Sequence, residues 1–384
     1  MKIDLSEYEF TGHGSKEVES LGQIRKNEQQ SMKMAGFDAA ESNRSASFLV
    51  IDHDHAFCRS YDEGVEIMPI GLALKVHEGL NDRYWKLLKP EKDEFTRVAA
   101  SITHGGYFIR VKKGAKIEKP IQSCLMMHTG RIGQVIHNLI VVEEGAEAHI
   151  LSGCTTTFAG QKAAHIGLSE FYVEKNASLT FTMIHNWGEN VEVRPRSAGT
   201  VDAGGVFLNN YVSLKPVRNL QMNPSIRLKG AGSVARFNSI IVATEGTTMD
   251  VGNVVILDAA DTRTEIVSNA VAAGGHLIAR GRIQANRSPS KGHLECRGLL
   301  LKNGMMQAIP ELDGRAEGVE LSHEAAIGRI AREELEYLMI RGLTEQEASS
   351  AIVRGFLNVD LMDLPEELKT EIDRTIAETE QSML

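Results

Sequence analysis

The chain is poor in cysteine, proline and aromatic residues: 4 Cys, 9 Pro and 5% Phe, Trp and Tyr in 384 residues. Cys58, Cys124, Cys154 and Cys296 lie far apart and form no CxxC pair. Neither a disulfide framework nor a redox dithiol is expected, which points to a reducing cytoplasm. The ordinary role of each cysteine is that of a small buried apolar residue. No run approaches the ~20 apolar residues of a membrane helix. Met1-Lys2-Ile3-Asp4-Leu5 turns acidic at once and has no apolar stretch, which argues against a signal peptide. No basic block stands out among 42 basic and 51 acidic residues, net −9, so general affinity for nucleic acid is not expected.

The common catalytic signatures are missing too. There is no Walker A and no strand–GxGxxG–helix unit; Gly230-Ala231-Gly232 comes nearest, and no lysine-bearing helix follows it. No GxSxG elbow is present. After His323-Glu324 the second histidine of an HExxH pair would fall on Ile327. The chain is not expected to bind ATP itself or to turn over a substrate.

What is present is glycine, 35 residues of it, in a recurrent pattern. From about Gly106 the chain becomes a train of short apolar segments such as Tyr107 to Val111, Ile136 to Val142, Ser178 to Ile184, Val234 to Val242 and His276 to Ile283. Between them recurs a Gly or Asn followed by a small residue: Gly114-Ala115, Gly145-Ala146, Asn176-Ala177, Gly204-Gly205, Gly230-Ala231 and Gly274-Gly275. Gly and Asn accept the positive φ of tight turns. The steps are 31, 31, 28, 26 and 44 residues, the last read as two of 22. No helical pattern fills the gaps, so the segments belong to an antiparallel sandwich or a parallel β-helix. Hairpin dipeptides are scarce; only Asn303-Gly304 and Asp313-Gly314 occur, near the end. That scarcity favours the β-helix.

Helical patterns flank the train. Lys16 to Met34 reads as a helix capped by Ser15 and stopped by Gly36, and residues 81–103 read as helical. At His323 the texture turns helical again. Glu333 to Arg341 ends at Gly342, Thr344 and Glu347 form a capping box, and Pro365 opens a last helix with Leu368, Ile372 and Ile376. The expected organisation is 1–104 helical or mixed, 105–320 β-helix and 321–384 helical.

Three places carry chemistry. His323-Glu324 pairs two iron or zinc ligands at an expected strand-to-helix junction. Its bland reading is a helix-start histidine and a carboxylate facing the helix dipole. Cys154 follows a strand in Gly153-Cys154-Thr155-Thr156-Thr157, where Gly153 lets the chain turn and hydroxyls are free to bond a thiolate or persulfide. Cys296 shares a strand face with Leu294, so burial competes with metal ligation.

Four stretches resemble the SufB/SufD family of iron–sulfur cluster assembly scaffolds. They are Gly105 to Ala115 with Glu118-Lys119-Pro120-Ile121; Val141 to Ala146 leading into Gly153-Cys154-Thr155; His185-Asn186-Trp187; and Pro310 to Arg315 with Glu320 to Ile330, continued by Glu333 to Leu338 and Arg341-Gly342-Leu343. The resemblance implies a right-handed parallel β-helix between helical ends, and a homodimer or a SufB/SufD-like heterodimer formed through the β-helix. It further implies docking of a SufC-type ABC ATPase on the C-terminal helices, and transient assembly of an iron–sulfur cluster from sulfide and iron. Residue by residue, it makes Cys154 the sulfur receiver and places His323 and Glu324 at the metal site, with one pair from each protomer across a two-fold axis. The family's interface cysteines fall at about Gly304 and on Leu321 here, so those thiolates are absent, and Cys296 is the remaining thiol candidate. Two functions stay open: an assembly scaffold, or a SufD-like structural subunit that recruits the ATPase.

Overall fold

The computed structural model describes residues 2–11, 17–102, 105–357, 369–370 and 373–374. It is mainly β, with 50% strand against 17% helix, and its centre is a parallel β-solenoid of about eight turns. The strands are β1 (Ala46–Ile51), β2 (Asp54–Ser60), β3 (Val65–Pro69), β4 (Tyr107–Val111), β5 (Ile121–Met127), β6 (Gly133–Val142) and β7 (Glu147–Thr156). Next come β8 (Ala163–Val173), β9 (Ser178–Asn186), β10 (Val191–Val193), β11 (Arg196–Val201), β12 (Val206–Ser213), β13 (Asn219–Met222) and β14 (Ser225–Leu228). The last are β15 (Val234–Thr244), β16 (Thr248–Leu257), β17 (Thr262–Ala273), β18 (His276–Ala285), β19 (Ser290–Leu301), β20 (Met305–Gly314) and β21 (Val319–Gly328).

From β4 onward the chain alternates between two sheets, with the pairs β10–β11 and β13–β14 each forming one interrupted pass of the second. One runs β2-β1-β5-β7-β9-β12-β15-β17-β19-β21; the other starts at β3, β4, β6 and β8 and ends at β16, β18 and β20. All pairings from β4 on are parallel, and only β1–β2 and β3–β4 are antiparallel. The lumen between the sheets is filled by alternate residues of both, among them Ile150, Phe181 and Phe237 from one wall and Phe171, Ile226 and Ile283 from the other. Burying each such side chain stabilises the coil by roughly 1.5–3 kcal/mol relative to exposure.

The recurrent turns stack on one corner. Gly114, Gly145, Asn176, Gly204, Gly232 and Asp261 all have positive φ, between 54° and 72°. Backbone bonds tie each to the next coil, as in Gly114 N–H to Glu144, Gly145 N–H to Lys175 and Asn176 N–H to Ala203. The real steps along this corner are 31, 31, 28, 28 and 29 residues. Two sequence expectations change here. The turn at Gly230-Ala231 takes its positive φ at Gly232, and Gly230 serves instead as a close approach, where a Cβ would overlap the Ala203 backbone. Gly274 is not on this corner; it stacks with Gly246 and Lys302 on another, at steps of 28, so there is no 22-residue repeat.

The helices differ from expectation in length. The first, α1 (Lys26–Met34), begins ten residues late; the Glu28 carboxylate accepts from Arg25 N–H at 3.1 Å and Gly36 (φ 80°) ends it. Ser15 and Lys16 lie outside the described residues. A short α2 (Ile70–Val76) follows β3. Of residues 81–103 only α3 (Glu94–Ser101) is α-helical. Before it the buried Glu170 carboxylate on β8 accepts from the backbone N–H groups of Trp85, Leu87 and Leu88, replacing the bonds a helix would supply.

β21 carries the last coil through Gly328, and only then do α4 (Arg332–Ile340) and α5 (Glu345–Phe356) form. The Thr344–Glu347 capping box is present, with bonds of 2.8 and 3.2 Å. α5 buries Ala348 and Val353, and Val353 packs on the outer face of the first sheet beside Ile240, Val271 and Leu299. No residue of α4 is buried, and Ile340 is 87% exposed. The helix expected at Pro365 falls outside the described residues.

Candidate functional site at the open end of the coil

The two ends of the solenoid are unlike. At the first end the antiparallel strands β2 and β3 cover the edges. At the last, nothing among the described residues pairs with the outer edges of β20 and β21, and Met305, Leu312 and Ile327 are exposed there. An uncovered strand edge is a template for another chain.

His323 lies in the middle of β21, not at a helix start, which corrects the sequence reading. Neighbours in a strand point to opposite faces, not about 100° apart as at a helix start. His323 is in register with the buried Leu294, and therefore faces the lumen. Its Nε2 is buried and has no hydrogen-bond partner among the described residues. Glu324 is in register with Glu295 and faces outward, exposed. Within one chain the two cannot hold a common ion.

Cys296 is the thiol nearest to His323 along the wall. It lies on β19 two residues after Leu294, on the same face, in register with Ala325. It is thus the diagonal neighbour of His323 on the lumen wall. Burial, then the nearby Glu295 carboxylate, push its thiol up to about 11. At neutral pH it is a thiol unless a metal displaces the proton.

Cys154 lies deeper. It is inside β7, not after it, and fully buried in the lumen. Gly153 makes no turn: its missing side chain admits the Ala35 carbonyl at the end of α1, which a Cβ would overlap. Two of the three threonines are engaged elsewhere, Thr155 accepting from Asn186 at 3.0 Å and Thr157 bonded to His128 at 3.0 Å. The Cys154 thiol instead donates to the Met183 sulfur at 3.6 Å, and burial raises its pKa far above the usual thiol range. From β7 to β19 is five strand steps, about 24 Å at ~4.8 Å per step. The structure therefore joins Cys296 with His323 and leaves Cys154 apart.

Between them runs a row that inspection of the sequence missed. Ser152, Met183, Tyr211, Ser239, Ser268 and Cys296 are successive register partners, all on the lumen side. Ser152 bonds Ser123 of the coil before at 2.9 Å. The adjacent row holds Cys154, His185 and Ser213. The His185 ring is held by the Tyr211 hydroxyl at 2.9 Å and is kept neutral by burial. The signal was the coil period: with the corner turns aligned, these residues fall one coil apart. Among the described residues no three His, Cys, Asp or Glu side chains converge on a common point. A wider cavity of about 470 Å³ lies beside α2, but its Arg83 is paired with Glu174 and its Arg110 with Glu66.

Comparison with known proteins settles the family. The profile described as SUF system FeS cluster assembly, SufBD core domain, matches residues 125–356. The chain belongs to the SufBD family. It is 45% identical over 358 residues to an iron-sulfur cluster assembly SufBD family protein of Archaeoglobus fulgidus, covering 93% of this chain and 96% of that one. A family protein of Methanothermobacter thermautotrophicus is 39% identical over 381 residues, 97% of this chain and 93% of the relative. The iron-sulfur cluster assembly protein SufB of Bacillus subtilis is 30% identical over 321 residues, 82% and 69%. The matched SufBD core spans most of the coil, from β5, through the open end to α5.

Proposed function

We propose that this SufBD protein is a scaffold subunit for iron–sulfur cluster assembly in the cytoplasm. In this reading sulfur is received at Cys154, iron is held at His323 and Cys296, and ATP hydrolysis is left to a SufC-type ABC ATPase. The observation that carries it is the buried, unpartnered Nε2 of His323 beside a thiol at an open coil end. Imidazole and thiolate both suit iron, and metal binding displaces the thiol proton. Sulfur received at Cys154 would have a path lined by hydroxyl and sulfur side chains toward Cys296. Glu324 leaves the ligand set within one chain. In a two-fold dimer formed through β20 and β21 the remaining ligands are doubled. The exposed Tyr337, Met339, Ile340 and Leu343 around the α4–α5 elbow support ATPase docking there.

A second reading, the SufD-like structural subunit, is favoured by Gly304. A Cβ at Gly304 would overlap the Ala272 carbonyl oxygen, so this backbone has no room for the cysteine the family resemblance puts there. Anaerobic purification with the ATPase, followed by reconstitution with Fe(II) and sulfide, separates the two. Retained iron and acid-labile sulfide that His323→Ala loses supports the scaffold. A wild-type complex that retains neither supports the structural subunit.

A further inference from the structure

Met183 and His185 stand two residues apart on β9 and face the lumen together. His185 is in register with Cys154 on the neighbouring strand, ~4.8 Å away. The Cys154 and Met183 sulfurs already touch, at 3.6 Å. The Tyr211 hydroxyl occupies Nδ1 of His185, so the ring presents Nε2 to a metal. A cavity of about 50 Å³ reaches Met183, His185 and Tyr211 from the wall at Pro195 and Pro224, where the second sheet is interrupted between β10 and β11 and between β13 and β14. Met222 lines the same cavity, so thioethers stand along the way in.

One thiol, one thioether and one neutral imidazole make a soft donor set. Such a set selects Cu(I) over iron or zinc, which prefer harder or more numerous charged ligands. We propose that Cys154 Sγ, Met183 Sδ and His185 Nε2 bind one Cu(I) ion inside the solenoid. The ion takes the place of the thiol proton now shared with Met183; that proton leaves to solvent and no electron moves. Tyr211 is a positioning residue that fixes the ring. The proposal does not rest on Cys154 receiving sulfur, since a chain that assembles no cluster would still bind copper here. Where Cys154 does receive sulfur, Cu(I) competes for the same thiol.

The test is an anaerobic titration of the reduced full chain with Cu(I) against the chromogenic chelator bicinchoninate. The expected result is a tightly bound Cu(I) with a thiolate-to-copper charge-transfer band that persists when Cys296→Ser removes the thiol at the other end of the coil. Met183→Leu conserves volume and should fold; it should bind at least about tenfold more weakly, and Tyr211→Phe about tenfold. Cys58→Ser should bind as wild type. The proposal is overturned if wild type fails to compete with the chelator, if Met183→Leu binds as tightly as wild type, or if Cys58→Ser removes the site.

Discussion

His165 and His185 are neutral imidazoles walled into the lumen beside Trp187, with ring centroids 4.8 and 5.4 Å from it. Burial holds the His165 pKa down to about 3 and that of His185 well below its ordinary value. Above pH 6.5 both folded and unfolded chains keep these rings neutral. Below it the unfolded chain takes up protons that the folded one refuses, so stability falls as pH drops from 6.5 toward 3. Each histidine should contribute on the order of 1.4 kcal/mol per pH unit in that window. Urea unfolding at pH 7 and pH 5 should show the loss. His165→Gln should make the pH dependence shallower by one proton, and an unchanged slope would place the titration elsewhere.

Among the elements, α1 and α4 make opposite demands on the coil. The end of α1 sits so close to β7 that only glycine fits at position 153. Gly153→Ala should therefore destabilise by about 1–3 kcal/mol and loosen residues 17–40 first. Hydrogen exchange would show that region losing protection; exchange spread evenly over the coil would contradict this. α4 buries nothing, so Leu338→Asp with Arg341→Glu should leave the coil intact and abolish co-purification with the ATPase. Undiminished co-purification would move the docking site off the elbow. The positions of the elements were readable where turn chemistry is local: Gly114, Gly145, Asn176 and Gly204 mark one corner, and the Thr344–Glu347 box marks α5. They were misread where a distant group decides. Residues 83–88 look helical, but the Glu170 carboxylate takes their N–H groups instead. His323-Glu324 looked like a helix start because nothing within a few residues reveals that β19 waits to pair with it. The Met183–Tyr211–Cys296 row was hidden for the same reason: its members are neighbours only through the coil period.

At the scale of the whole molecule, a coil closed at one end by antiparallel strands and open at the other asks for a partner at the open end. The edges of β20 and β21, which nothing among the described residues pairs with, and the exposed Met305, Leu312 and Ile327 are where a second copy should pair. Light scattering at micromolar concentration, with the ATPase present, should report a dimer; a monomer would count against this end as the interface. The same end carries His323 and Cys296, so the proposed metal site lies beside the proposed interface. The most direct measurement is iron and acid-labile sulfide retained after anaerobic reconstitution with the proposed SufC-type ATPase partner. Wild type should retain both. His323→Ala and Cys296→Ser should each lose iron while keeping the dimer. If His323→Ala retains as much cluster as wild type, the open end of the coil is not where the cluster is built.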